Sequence, residues 1–329
     1  FFNLIFLRYI DAISNFFKLI DIPKKNRSLH KKPISKIGGL VFFVNFLIIF
    51  IFDFIYLNIF DELFLTLITG VILFFLVGYL DDIFDLSASR KFLILLTIFF
   101  ILINFEEKYL LNFLYFKSSD KVIYLQYFNY IFTFFCIYLL INTFNMVDGI
   151  NGLSISIFFI WFVLLSINSR YVSIELIILI TPSVVLLLYK NLKNILFIGN
   201  SGSYLLSGLI SILTISLYNL EYLNSNVNKN LYVENILLLF LVPGLDCARL
   251  FFYRLFFLRK SFYKADNNHF HHLLINNYSL LKTNSIYLLL ILIPNIFFLL
   301  FKEYVLYIIF INITIYILII NHTIKLKNE

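Results

Sequence analysis

Charge is scarce in this chain. Only 14% of its 329 residues are charged, 61% are hydrophobic, and the mean hydropathy is +0.92. A soluble globule carries about 25% charged and about 45–50% apolar residues, so the composition excludes that class and points to a polytopic membrane protein. Cysteine is almost absent. Cys136 and Cys247 both fall inside apolar runs, which excludes a disulfide framework. Methionine occurs once, at Met146, and the chain opens on Phe1, so a clipped first span is expected rather than a signal peptide. Repeats and a soluble domain are also lacking, and residues 1–329 read as one integral membrane domain. The 42 Phe, with abundant Ile, Asn and Lys, reflect compositional bias in part, so no single Phe or Lys carries weight.

A bilayer crossing needs about 20 mostly apolar residues. Such runs lie near 1–20, 38–57, 61–80, 91–105, 124–141, 153–167, 174–189, 203–219, 235–253, 283–301 and 303–320. The expected fold class is therefore all-α, with about 10–11 transmembrane helices. Alternating the loops sorts their charge. Residues 21–37, 81–91, 142–152, 190–202, 254–282 and the tail from 321 hold 17 Lys or Arg, against 6 in the opposite set. The positive-inside rule makes the first set, which carries the chemical loops, cytoplasmic. The net charge of +7 then reflects topology rather than a nucleic-acid partner.

Those loops concentrate polar groups that a bilayer boundary does not otherwise favour. Asn142-Thr-Phe-Asn-Met-Val-Asp-Gly-Ile-Asn-Gly-Leu153 lies between two apolar runs. Asn145, Asp148 and Asn151 repeat every three residues, as if sharing one face of a helical turn, and their hard oxygens suit Mg²⁺. Helix capping by Asn142 or Asn151 is the plainer alternative. Upstream, Asp81, Asp82 and Asp85 close an apolar run, with Arg90 and Lys91 following. Asp81 or Asp82 is expected to share a face with Asp85. Acidic groups so close repel unless a cation sits among them, and the negative end of a helix dipole disfavours them further. Phe197-Ile-Gly-Asn-Ser-Gly-Ser203 reads as a turn whose free N–H groups could meet an anion, although Gly-Ser turns are also common punctuation.

The longest of these loops runs from Pro243-Gly-Leu-Asp246 and Arg249 through Arg254 to Asp266-Asn-Asn-His269-Phe-His271-His272. Its histidines are a zinc candidate, but remote cysteines and neighbouring basic residues favour phosphate contacts. The basic loop from Arg27 through His30 to Gly38-Gly39 serves first as a topological anchor.

In this order, the motifs resemble those of the polyprenyl-phosphate N-acetylhexosamine-1-phosphate transferases. Five signatures carry the resemblance: Arg–His–Pro–Gly-Gly, Asp-Asp-x-x-Asp, Asn-x-x-Asn-x-x-Asp-Gly-x-x-Gly-Leu, Phe-x-Gly-x-x-Gly-Ser and His-x-His-His. The resemblance implies a reaction. Undecaprenyl phosphate attacks the β-phosphorus of a UDP-N-acetylhexosamine, giving undecaprenyl-diphospho-sugar and UMP, with Mg²⁺ (or Mn²⁺) as cofactor. It further implies that Asp81, Asp82 and Asp148 are catalytic and that Lys91 and Asp85 serve the lipid phosphate. Asn145 and Asn200 would ligate the metal, and Asn151, Arg254, His269, His271 and His272 would bind the nucleotide sugar. Membrane lipids are the other partners, and a homodimer is left open. Asn200 stands where most members have Asp, Asn151 where many bacterial members do, and Asn267 where Arg is common. The loops leave two other readings: a transporter or flippase for a lipid-linked anion, and a catalytically impaired relative that binds lipid phosphate. A transporter calls for inverted repeats and helices broken at the midplane, whereas these polar motifs crowd one face.

Overall fold

The computed structural model describes residues 2–23, 32–57, 64–169, 171–172, 174–223, 230–258 and 268–328. Two short helices, α1 (Phe2–Arg8) and α2 (Ile10–Phe16), precede a small antiparallel pair, β1 (Ile20–Asp21) and β2 (Ile34–Ser35). Then come α3 (Gly38–Phe52), α4 (Phe64–Phe84) and α5 (Ala88–Phe105). A hairpin of β3 (Phe113–Phe116) and β4 (Lys121–Tyr124) leads into α6 (Asn129–Val147). The rest is helical: α7 (Leu153–Asn168), α8 (Ile174–Leu192), α9 (Gly199–Leu223), α10 (Val233–Tyr253), α11 (Phe270–Asn277), α12 (Leu280–Leu300) and α13 (Val305–Asn328).

Eight described helices are long and apolar enough to cross a membrane, namely α3, α4, α6, α8, α9, α10, α12 and α13, and α7 is a shorter apolar helix. This is an all-α, multi-pass membrane protein, as the apolar runs predict. The first predicted span differs. Residues 2–16 form two helices interrupted at Tyr9 rather than one continuous crossing.

Helix α9 is the axis of the bundle. Its whole apolar window is buried, against 22–47% for the other spans. Small residues make that possible, because apolar surface gains nothing by leaving lipid and helices associate by close packing. A side chain at Gly39 would sit 2.3 Å from the Gly202 nitrogen, one at Gly78 2.3 Å from the Asn200 carbonyl, and one at Gly208 2.3 Å from the Phe74 ring. Ser207, Ser211 and Ser216 bond back to the carbonyls of Ser203, Ser207 and Ile212, so their hydroxyls are satisfied within the helix.

Helix direction alternates along the chain. The last turns of α4, α6, α8 and α10 therefore meet the first turns of α3, α5, α7, α9 and α12 at one end of the bundle. At this end Gly38 and Gly39 donate to the carbonyls of Phe197 and Ile198, and Asn284 reaches the Asn151 carbonyl at 2.9 Å. All the described chemical motifs converge here. The His30 loop, Arg259, Asp266 and Asn267 lie outside the described residues.

Candidate active site

Asp81 and Asp82 are adjacent, but their side chains diverge. Asp81 Oδ2 lies 2.7 Å from Lys91 Nζ on α5, and Oδ1 accepts the Leu86 N–H at 2.9 Å. Asp82 turns to α9 and accepts the N–H groups of Asn200 and Ser201 at 3.0 and 2.8 Å. Both side chains are fully buried. The mutual repulsion foreseen from their adjacency is thus relieved by separate partners. The dipole objection also dissolves: Asp82 ends α4 but occupies the positive end of α9. Gly199, at φ +68°, makes room, since a Cβ there would lie 2.8 Å from Asp82 Oδ2. The turn expected to receive an outside anion therefore already holds one of the chain's own.

Asp85 stands apart. It is exposed, and its left-handed backbone (φ +50°) terminates the helix, so no shared face with Asp81 or Asp82 forms. Lys36 joins the site instead, with Nζ 3.7 Å from Asp82 and 3.4 Å from Asp21. Nothing in the sequence separates Lys36 from the other lysines of its basic loop. Its place is decided by backbone bonds from Lys36 to Leu19 and from Phe197 to Ser35.

The Asn145–Asn151 segment is not one helical face either, because α6 stops at Val147 and Gly152 turns the chain at φ +81°. Asn145 Oδ1 accepts from Ser203 Oγ on α9 at 2.9 Å, and Asp148 Oδ1 accepts from Ser154 Oγ on α7 at 2.6 Å. Asn151 Nδ2 donates to Asn194 Oδ1 at 2.6 Å. Ser203 Oγ also lies 3.3 Å from the backbone carbonyl of Asn200. Burial, with Asp82 nearby, pushes the Asp148 carboxyl up to about 7, although Ser154 and Lys36 pull the other way. Asn191 ties the turn down, accepting the Gly152 N–H at 2.5 Å and donating to Leu196 at 2.9 Å.

The histidine motif packs directly on this turn. A Cβ on Gly149 would lie 2.5 Å from His271 Nε2 and 3.2 Å from His272 Nε2. His269 and His271 stack with ring centroids 5.6 Å apart, and His271 and His272 lie 4.3 Å apart. His271 is fully buried, and neither ring nitrogen has a hydrogen-bond partner among the described residues. Burial, reinforced by the neighbouring histidines, holds His271 well below the usual histidine range, so it is neutral near pH 7 and offers hydrogen bonds rather than charge. Arg254 is buried where α10 passes into a π-helical turn. No cluster of three His, Cys, Asp or Glu suited to a metal occurs among the described residues. Oxygens able to hold a hard cation belong to Asp82, Asp148, Asn145 and Asn200.

Pro243, Asp246 and Arg249, read as the opening of a loop, lie inside α10. Asp246 is a buried residue outside the set singled out from sequence. Its Oδ2 lies 3.0 Å from His269 Nδ1, and its Oδ1 accepts from the Phe270 N–H at 3.0 Å and Arg249 Nη2 at 2.8 Å. The available signal was an acidic residue one turn from Arg249 in an apolar helix.

Comparison with known proteins covers the centre of this site. Residues 64–218 match the sequence model described as glycosyl transferase family 4. Curated relatives from Escherichia coli (strain K12), Shigella flexneri and Escherichia coli O157:H7 are each called undecaprenyl-phosphate alpha-N-acetylglucosaminyl 1-phosphate transferase. Each is 29% identical over 152 residues, which is 46% of this chain and 40% of the relative. The chain thus spans less than half the length of the curated relatives it matches. The family match contains Asp81, Asp82, Lys91, Asn145, Asp148, Asn151 and Asn200, and ends before Arg254 and the histidines. Over residues 64–218 the chain is thus similar to glycosyl transferase family 4.

Proposed function

We propose that the chain transfers an N-acetylhexosamine 1-phosphate from a UDP-N-acetylhexosamine to undecaprenyl phosphate, releasing UMP. A phosphate oxygen of the lipid attacks the β-phosphorus of the nucleotide sugar. The new anhydride bond forms as the α–β anhydride breaks, and the electron pair leaves on UMP. One observation carries the reading: Asp148 lies close enough to Asp82 to feel its charge, Gly149 beside it packs on His271 and His272, and Lys91 pairs with the neighbouring Asp81, so acids, histidines and a lysine share one end of the bundle. Phosphoryl transfer is mostly positioning and charge neutralisation, and this arrangement supplies both. The names of the curated relatives support the same substrate class.

Lys91, held by Asp81, is placed for the lipid phosphate. Arg254, His269, His271 and His272 are placed for the diphosphate, and Asn151 for the uridine end. The donor types suit a hard divalent cation: carboxylates at Asp82 and Asp148, the latter raised by burial and further by the Asp82 charge, with amide side chains at Asn145 and Asn200 in the same motifs. Mg²⁺ (or Mn²⁺) would be held by Asn145, Asn200 and Asp148, and would neutralise charge on the phosphates. The excess of basic residues in this set of loops supports a site on the cytoplasmic side, and the organisms of the curated relatives, Escherichia coli and Shigella flexneri, support a bacterial inner membrane. There the reaction would initiate a cell-envelope polysaccharide.

The test is direct. Membranes containing the protein receive radiolabelled UDP-GlcNAc, undecaprenyl phosphate and Mg²⁺, and are scored for labelled lipid and UMP. Product establishes the reaction, and its absence with every UDP-N-acetylhexosamine refutes it.

A further inference from the structure

Asp246 accepts a fourth hydrogen bond beyond the three above: Tyr316 Oη on α13 lies 3.3 Å from Oδ1. Arg249 Nη2 also donates to the Asn268 carbonyl at 2.6 Å. One carboxylate thus joins α10, the start of α11 and α13. The other groups facing it, Arg249, Tyr316 and the Phe270 N–H, all donate, so it sits there as an anion that only accepts. The proton between Asp246 and His269 therefore belongs to Nδ1. With that nitrogen engaged, Nε2 is the ring atom left for another group, and the stacked His271 ring limits rotation.

We infer that Asp246 is a positioning residue: it sets the tautomer and orientation of His269 so that Nε2 is offered to the nucleotide-sugar diphosphate. The inference rests on the proposed role of the histidines. A carboxylate behind a histidine is the usual way to fix such a ring, and losing such a partner typically costs 10–100-fold in binding or activity.

A double-mutant cycle on the full-length protein tests it, using Asp246→Asn, His269→Gln and the pair. KM for UDP-GlcNAc and kcat are measured, together with Kd for UDP. Asp246→Asn is expected to raise KM and Kd about tenfold or more, with kcat changed by less than about threefold. On the His269→Gln background it should add less than about twofold, because it acts through a ring already gone. Losses that multiply, or an unchanged KM and Kd, overturn the inference. Should Asp246→Asn not fold, His269→Asn carries the test. Its amide can still donate to Asp246 but stops short of the Nε2 position, so Tm should hold while KM rises about tenfold; a wild-type KM overturns the role. An inactive wild type that binds UDP sinks the proposed reaction, while the cycle is still read on Kd. A wild type that binds no uridine nucleotide overturns both.

Discussion

Both ends of the bundle bury carboxylates, and they close them differently. At the hairpin end Glu234 accepts the N–H groups of Lys117 and Ser118 and the Ser118 hydroxyl at 3.1, 2.9 and 2.7 Å. Glu221 accepts the N–H groups of Asn230 and Leu231, both at 2.8 Å. These two acids latch loops that would otherwise leave amides unpaired next to lipid. At the other end Asp82 is satisfied in the same structural manner. But Asp148 is raised to about 7, and neither His271 ring nitrogen has a partner among the described residues. Polar groups that complete each other hold a fold together. Groups buried at a cost, beside a cluster of opposite and like charges, mark where something else binds.

The sharpest way to break this contrast is to neutralise one acid at each end. Asp82→Asn should lower turnover about a hundredfold or more, the scale of losing a key charge at a phosphoryl-transfer site. It also removes the anion at the start of α9, so thermal stability should fall. Glu234→Gln should cost about 1–3 kcal/mol of stability by leaving hairpin donors poorly paired, with specific activity of the folded fraction little changed. Turnover and melting on the same preparations decide it; equal activity losses at both ends would erase the distinction.

Next in size is a pH effect. Asp148 is raised from 3.8 to about 7, so between those values the folded chain keeps a proton that the unfolded chain has released. Stability should therefore fall as pH rises through that window, the direction linkage requires for a raised carboxyl. Activity that needs the carboxylate should instead climb through about pH 7. More Mg²⁺ should move the midpoint to lower pH, as a nearby cation favours the anion. Rate profiles at two Mg²⁺ concentrations measure it, and a midpoint that ignores the cation counts against a shared site.

Gly149→Ala probes the contact between the turn and the histidines. The added methyl must displace the His271 ring, which is hemmed in by His269 and His272. KM for UDP-GlcNAc should rise about tenfold, with stability reduced by about 1–3 kcal/mol for overpacking. The smallest effect belongs to Asn200→Asp, which introduces a carboxylate in the first turn of α9. It should preserve turnover or lower the Mg²⁺ concentration needed for half-maximal rate. A large loss would identify the Asn as an adapted ligand.

Much of this was legible in advance because membrane helices are written in long apolar runs, and loop charge reports their sides. The Asp, Asn and His positions were legible for a related reason: a polar side chain at a bilayer boundary stands out against its surroundings. Directions of side chains were not. Asp81 and Asp82 are one residue apart yet serve different helices, and Asn145, Asp148 and Asn151 keep a period of three yet leave the helix at Val147. Periodicity describes a helix only while it lasts, and α6 lasts only to Val147.

By itself the sequence determined the class of the protein and marked the polar motifs between its apolar runs, although it predicted about 10–11 crossings against the eight long apolar helices among the described residues. Composition and local pattern carry that information, since the bilayer rewards length and apolarity whatever the neighbours. Tertiary structure alone decided the pairings: Lys36 with Asp82, Asp82 with the start of α9, His271 against Gly149, and Asp246 behind His269. Each joins segments far apart in the chain, and the close approach of α3, α4 and α9 at their glycines sets the first two. No local propensity encodes a distance between helices, so only the packed bundle could show which carboxylate meets which partner.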